Sequence, residues 1–530
     1  MRKRLRTICA LLPALLAVPL VIAPIACRQE GGAKPATRRI VLVSVDTLRA
    51  DRLACYGHDR PTSPSIDRLA TEGVLFENAD APRGLTWPAL TTILTGKYPI
   101  THGVRTNGDR IRPEHPLISE ILHGRGFDTA AFITNMERAP NRGFDTIECF
   151  IDTKKERKTQ AEWDRDATDA ALAWLERHHE GEFFLWVHYL GPHKPYTPEP
   201  PFRGFLDDST RPIEIPEDYE FPESTGRRID MEEDPLDRYL QYVTGRGIEL
   251  DPEEVAYVNA LYDGEVLCVD REVGRVLEKL DALGRADDTL VVFVADHGEE
   301  LYDRNEYFYH SCSVYQSVLH VPLVFRLPGV LPAGRRVPDP VELSDIAPTV
   351  LELLGEDDAA DEVDGVTLLP LLQGTGDRDK DHVVTEWYEA RALGDRRPVF
   401  TIREGDWKLV YNPDEVHPAL PPYKLFPGSS YPIERLELYN LREDPRERRN
   451  VAGEHPDRAA RLRQAIESFL ASREGKAGTP EPWDRASIER LLEMGYITPE
   501  DAEAGLKRLK EKAEEPLSPD RYDLESGREE

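Results

Sequence analysis

The sequence predicts an α/β fold: a doubly wound, mixed or parallel sheet flanked by helices, followed by a smaller C-terminal α+β domain. Three observations predict it. Short, nearly continuous apolar runs recur between residues 40 and 325, as central strands covered on both faces require. Helix-length segments separate these runs, which is the βα alternation of a sheet sandwiched between helices. From about Gly376 the alternation stops and short β-type runs take over.

The elements follow in order. Arg2, Lys3, Arg4 and Arg6 open the chain, and an apolar run over 8–26, broken by Pro13, Pro19 and Pro24, comes next. Residues 1–26 read as a signal peptide. Its end, Ile25-Ala26-Cys27, is similar to a bacterial lipoprotein cleavage box, with Pro24 where such boxes carry Leu. A lipid on Cys27 would tie the protein to a membrane; a conventional signal peptide and an uncleaved anchor are the alternatives. The expected location is outside the cytoplasm, in a bacterial cell envelope, either periplasmic or lipid-anchored. Residues 27–37 are polar and read as a tether. The catalytic-size domain spans 38–375. Its strands are expected at Ile40-Val41-Leu42-Val43-Ser44-Val45 and over 129–133, 183–187, 290–294 and 321–325, its helices over 65–72, 117–124, 166–177 and 254–280. Residues 192–251, rich in proline and acid, read as a surface insertion that shapes the substrate entrance. Residues 376–472 form the small domain, with strands over 383–387, 400–402 and 407–411 and a helix over 455–472. Residues 473–530 are a charged tail with helices over 486–494 and 499–512, then a disordered end.

The formal net charge of -31 argues against nucleic acid or anionic lipid as the main partner, since both would be repelled. A small anionic substrate stays compatible, because a bound metal reverses the local field. Of the six cysteines, Cys55, Cys149, Cys268 and Cys312 lie in the folded region and show no close metal-type spacing. Most of them read as small buried hydrophobes.

In an α/β sheet ligands bind beyond the carboxyl ends of the strands, and chemistry-bearing residues fall there. Asp46 follows the first strand, His188 and His193 follow the 183–187 run, and Asp296 and His297 follow the 290–294 run. Asp46 is placed to hold a metal, or equally to cap a helix. Asp296-His297-Gly298 supplies an oxygen and a nitrogen ligand and then a turn. Thr86 opens a helical segment with Pro88 in its first turn. An N-cap role and a nucleophile role both suit it, because a helix N-terminus offers free N–H groups and positive potential. A neighbouring cation would lower the hydroxyl pKa. His193, held between Pro192 and Pro195 in an expected extended loop, and His310 are candidates to protonate a leaving oxygen or bind developing charge. His188, flanked by bulky apolar residues, reads as structural.

These segments resemble the sulfatase family of the alkaline phosphatase superfamily. The resemblance rests on Val45-Asp46-Thr47-Leu48-Arg49-Ala50-Asp51, Leu94-Thr95-Gly96-Lys97-Tyr98-Pro99, Pro192-His193-Lys194-Pro195-Tyr196 and Asp296-His297-Gly298-Glu299. It continues through Val321-Pro322-Leu323, Asp345-Ile346-Ala347-Pro348-Thr349, Trp407-Lys408-Leu409 and Glu437-Leu438-Tyr439-Asn440-Leu441, and covers roughly 38–470. It implies a metal held by Asp46, Asp296 and His297 and touched by a nucleophile at Thr86, with His193 and His310 at the positions of basic catalytic residues. Three departures stand out. The family carries Cys or Ser, matured to formylglycine, with Arg four residues on; here stand Thr86 and Leu90. Thr47 replaces a second metal-site Asp, and the family's Gly-Lys-x-His signature is missing near Ile133-Thr134-Asn135-Met136. No formylglycine is therefore expected.

The resulting expectation is a metal-dependent hydrolase that cleaves a phosphate or sulfate ester of a glycan, lipid or small molecule through Thr86. One divalent ion is expected. Mn²⁺ or Zn²⁺ suits two carboxylates and an imidazole, and Ca²⁺ is the family habit. The alternatives are a phosphoglycerol-type transferase of the envelope and a non-catalytic glycan- or anion-binding lipoprotein.

Overall fold

The computed structural model describes residues 37–473 apart from 108, 135–139, 152–157, 208, 216–234, 237–238, 241–242, 244–247, 305–307, 312, 357–362, 388–397 and 416–432; beyond 473 it describes Arg485, Ile488, Glu503, Leu506 and Lys507. The expected signal peptide, Cys27, nearly all of the tether and most of the two expected tail helices lie outside the described residues, as do Asn135, Met136, Cys312 and about half of the insertion.

The strands of the large sheet are β1 (Arg39–Val45), β2 (Val74–Asp80), β3 (Asp128–Ile133), β4 (Thr146–Cys149), β5 (Phe183–Tyr189) and β6 (Leu290–Ala295), then, after the two-residue pair β7 (Glu300–Leu301) and β8 (Phe308–Tyr309), β9 (His320–Arg326) and β10 (Arg335–Glu342). Their spatial order is β10-β2-β9-β6-β1-β5-β3-β4. Every neighbouring pair is parallel except β9 with β6 and β2, so the sheet is mixed through one reversed strand. The central strands are buried along nearly their whole length, which is why their sequences are continuously apolar. Each buried Val, Leu or Phe contributes about 1.5–3 kcal/mol relative to exposure.

Helices α1 (Pro64–Glu72), α2 (Thr86–Thr95), α3 (Ile118–Gly124), α4 (Gln160–His178), α5 (Pro252–Ala282) and α6 (Ile346–Leu353) accompany the sheet. α4 starts six residues earlier than expected. Thr159 caps it, with its Oγ accepting the Glu162 N–H and the Glu162 carboxylate accepting the Thr159 N–H. Three strands of the large sheet were not foreseen. β10 carries Pro338 and Pro340, which argue against a strand, yet it lies at the sheet edge with a bulge between Val337 and Pro340, where proline is tolerated. β4 is a short opposite edge, and β2 lacks a clean apolar run.

The C-terminal part forms a separate antiparallel sheet, β11 (Val383–Trp387), β12 (Val399–Glu404), β13 (Trp407–Tyr411) and β14 (Leu436–Asn440), in that order. Helix α7 (Pro456–Ser472) closes one face, where Ile402, Leu409 and Leu438 pack with Leu462, Ile466 and Tyr98. The other face buries Trp387, Val399, Val410 and Tyr439 against Val314 and Tyr315 of the α/β part. Cys268 is buried, while Cys55 and Cys149 are half-buried; all three are free thiols.

Candidate active site

β1 and β6 are adjacent and parallel, with Val45 level with Ala295. Their next residues, Asp46 and Asp296, therefore emerge side by side. The Asp296 N–H donates to Val45 O (3.1 Å) and the Asp46 N–H to Tyr189 O (2.9 Å), so the sheet ladder itself fixes where each carboxylate starts. His297 follows at once, and one ligand-type atom from each of Asp46, Asp296 and His297 lies within 4.8 Å of the others. All three residues are buried.

The polar atoms of this cluster are aimed rather than merely close. The His297 Nδ1–H donates to Gly298 O at 2.9 Å, which turns the Nε2 lone pair toward the carboxylates, 3.6 Å from Asp46 Oδ1 and 3.7 Å from Asp296 Oδ2. Asp296 Oδ1 accepts the backbone N–H groups of His297 (2.7 Å) and Thr47 (3.3 Å), while its Oδ2 and His297 Nε2 have no hydrogen-bond partner among the described residues. Burial, then the charges of Asp296, Glu299 and Asp164, push the Asp46 carboxyl well above the ordinary range. Burial does the same to Asp296, and burial together with His310 holds His297 far below the usual imidazole range. Two carboxylates driven toward protonation face an imidazole driven toward neutrality. A divalent cation would keep the carboxylates ionised and take the neutral imidazole as a ligand, and the donor set fits one.

Thr86 is the first residue of α2, with Leu85 in the N-cap position, so it is helical rather than the cap itself. Its hydroxyl hydrogen-bonds the Asp46 carboxylate, opposing the upward shift of that group. All ten residues of α2 are buried, and Gly96 ends the helix in the left-handed conformation (φ 67°) with its N–H on Thr92 O. At the other end the Trp87 N–H donates to Asn107 Oδ1 (3.0 Å), which satisfies one of the helix's free N–H groups. Leu90, where the resemblance expects Arg, is 1% exposed within the apolar core.

His310 and His193 complete the constellation. The His310 ring lies 4.6 Å from that of His297 and 5.3 Å from that of His193, centroid to centroid. His310 Nδ1 is 3.1 Å from Glu299 Oε1. Gly84, two residues before Thr86, passes so close that a Cβ there would lie 2.5 Å from Val318 Cγ1 and 3.0 Å from His310 O. Burial and the Lys194 charge hold His310 down to about 3; burial and His310 hold His193 down to about 4. Both rings are thus neutral near pH 7. The loop that carries His193 is not extended. Gly191-Pro192 and Lys194-Pro195 are both cis, and the His193 N–H turns back to Leu190 O at 3.0 Å. His188 lies inside β5 rather than after it, with Nδ1 on Ser44 Oγ (2.8 Å), and is structural.

Several residues at the site carried no role in the sequence reading. Glu299 is buried between His310 and Asp46. Arg49 is buried, grips Asp51 through Nε and Nη2 (2.8 and 2.7 Å) and Asp303 through Nη1 and Nη2 (2.5 and 3.0 Å), and donates to Glu299 O (3.0 Å). Glu299 and Arg49 both sit inside motifs quoted above, so adjacency to Asp296 and to Asp51 was the available signal. Asn107, Asp164 and Glu265 belong to no motif.

The family model described as Sulfatase matches residues 38–356. The chain belongs to the sulfatase family. It is a hydrolase of that family, and a second model, described as N-sulphoglucosamine sulphohydrolase, C-terminal, matches residues 304–418. The N-acetylglucosamine-6-O-sulfatase of Bacteroides thetaiotaomicron is 24% identical over 86% of this chain and 90% of its own. BT4656, solved in complex with its substrate D-glucosamine-2-N,6-O-disulfate, superposes with a TM-score of 0.65 at 22% identity, covering 83% of this chain and 98% of that one. The phosphonate monoester hydrolase of Agrobacterium radiobacter gives 0.63 at 22% identity, covering 84% and 96%.

Proposed function

We propose that this sulfatase-family hydrolase cleaves a phosphate or sulfate ester through Thr86 acting as an unmodified nucleophile. One observation carries the reading: the Thr86 hydroxyl, at the N-terminus of a buried helix, is hydrogen-bonded to Asp46 of the Asp46, Asp296 and His297 cluster. That bond takes the hydroxyl proton away from the attacking lone pair. A divalent cation held by Asp46, Asp296 and His297 lowers the hydroxyl pKa and offsets the ester's negative charge; ligand chemistry favours Mn²⁺ or Zn²⁺, and Ca²⁺ is the alternative.

The chain's own groups do the rest. Thr86 Oγ forms a bond to phosphorus or sulfur as the bond to the leaving oxygen breaks. The α2 N-terminus faces the negative charge that spreads over the remaining oxygens. His193 or His310 relays the proton given up by the Thr86 hydroxyl to the leaving oxygen, and water then cleaves the threonine ester, returning a proton to Thr86 and releasing inorganic phosphate or sulfate. The names of the relatives support an anionic sugar ester as substrate, since one acts on N-acetylglucosamine-6-O-sulfate and BT4656 was solved with a sulfated glucosamine. An unmodified threonine and the phosphonate monoester hydrolase neighbour support phosphorus chemistry. We lean slightly to phosphorus, and place the enzyme in the envelope on the strength of its basic and apolar first 26 residues.

The test is turnover of the metal-loaded protein on three parallel aryl esters: a sulfate, a phosphate monoester and a phosphate diester. Thr86→Ala should lose about 10³-fold or more on whichever ester the wild type turns over. Retention of activity within tenfold by Thr86→Ala would remove the nucleophile from the account.

A further inference from the structure

Two buried carboxylates outside the proposed metal cluster converge on the loop that carries His193. Asp164 stands on α4 and Glu265 on α5, two helices that pack together, and both side chains are buried. Asp164 Oδ1 accepts the Leu190 N–H (2.9 Å) and the Thr134 hydroxyl (2.5 Å), and its Oδ2 accepts the Gly191 N–H (3.1 Å). Glu265 Oε1 accepts the Thr197 N–H at 2.8 Å. Its Oε2 has no hydrogen bond among the described residues and points back toward Gly191. A Cβ on Gly191 would lie 3.2 Å from Asp164 Oδ2, 3.8 Å from Glu265 Oε2 and 3.0 Å from Val269 Cγ2, so this position has room for glycine and little else.

We propose that Asp164 and Glu265 are positioning residues for His193: they grip the main chain on both sides of it and so hold its ring beside His310. Asp164 takes the two N–H groups before His193 and Glu265 takes one after it. Among the described residues, the imidazole's own polar anchor is Lys194 O, on the same loop, to which Nδ1 donates at 2.7 Å. The ring can therefore be no better placed than the backbone under it. Two carboxylates on one short loop are an expensive choice. Burial, together with the Asp164 charge, pushes Glu265 up to about 8, and burial pushes Asp164 up to about 7. Neutral acceptors would close the same turn at lower cost. What a carboxyl group adds is two oxygens per side chain, both of which accept when it is ionised and one of which donates when it is protonated. The inference rests on the reading that His193 serves the reaction.

The experiment combines two readouts on the metal-loaded full chain. Amide hydrogen exchange of the 190–197 segment reports the grip without reference to activity. Turnover of the aryl ester in wild type, Glu265→Ala, His193→Ala and the double variant reports its use. Glu265→Ala should expose the segment to faster exchange and lower kcat about 10- to 100-fold with KM changed little. In a His193→Ala background the same change should cost nothing further, because the positioned group is gone. Glu265→Gln keeps an acceptor for Thr197 and presents its NH₂ group toward Asp164, and should retain protection and most of the activity, which also separates the effect from a failure to fold. Unchanged exchange in Glu265→Ala, or losses that simply multiply in the double variant, would overturn the proposal. Faster exchange combined with a silent His193→Ala would leave the grip standing, refute its catalytic purpose and count against the assigned role of His193 alone.

Discussion

At the residue scale, the site depends on orientation more than on proximity. His297 can serve as a ligand because its Nδ1 proton is committed to Gly298 O, leaving Nε2 to face two carboxylates. Gly298 makes that possible in a second way. A Cβ there would fall 2.4 Å from Ser317 O and 3.1 Å from Arg49 Cγ, so the turn fits only without a side chain. Gly298→Ala should therefore displace His297 and weaken metal binding. In thermal unfolding, wild type should gain several degrees in Tm on adding Mn²⁺ or Ca²⁺, as a ligand that binds only the native state requires. The variant should gain much less; an equal gain would show that His297 is not a ligand. Asp46, Thr86, Asp296 and His297 were legible because each stands where a strand ends or a helix begins, so a sequence pattern locates it. Asp164 and Glu265 were not. Each lies within a helix and meets the loop of His193 only through what the fold packs against it.

At the element scale, level strand ends do most of the assembly. The β1–β6 register brings Asp46 beside Asp296 without any help from loops. The surprise is β11, read from sequence as part of a separate small domain. Its Glu386 N–H donates to Pro82 O (3.0 Å), four residues before Thr86. The Glu386 carboxylate takes the Arg105 guanidinium side-on (2.8 and 2.7 Å), two residues before Asn107. Trp387 Nε1–H donates to Ser311 O (3.0 Å), next to His310. One edge strand thus braces three segments that carry site residues. Its short β-type run was readable, but contacts between distant segments leave no local pattern. Glu386→Ala should lower stability by about 2 kcal/mol, because the half-buried Arg105 loses its two bonds to that carboxylate, and reduce kcat/KM about tenfold. Glu454→Ala, which removes an exposed pair with Arg449, should do neither. Equal effects of the two substitutions, read by urea unfolding and steady-state kinetics, would show that β11 braces nothing.

At the scale of the whole molecule, fold class and family were legible because many short segments agree in order, from Asp46 to Leu441. Three residues set in that frame depart from the pattern that the resemblance implies: Thr86, Leu90 and Thr47. The frame accommodates them. Leu90 fills core space on α2, and the turn at Thr47, with its positive φ of 55°, is pinned by Tyr262, whose hydroxyl donates to Thr47 O (2.7 Å) and accepts the Arg49 N–H (3.1 Å). A threonine can thus be accommodated at this position of the fold, and the central claim is that Thr86 itself does the covalent work. The direct measurement is peptide mass mapping of the protein, acid-quenched during turnover of an aryl phosphate or sulfate. The account predicts an unmodified threonine in the resting protein and, in the quenched sample, one phosphoryl or sulfuryl group on the peptide that contains Thr86. A group carried on any other peptide, or turnover that persists in Thr86→Ala, would contradict it.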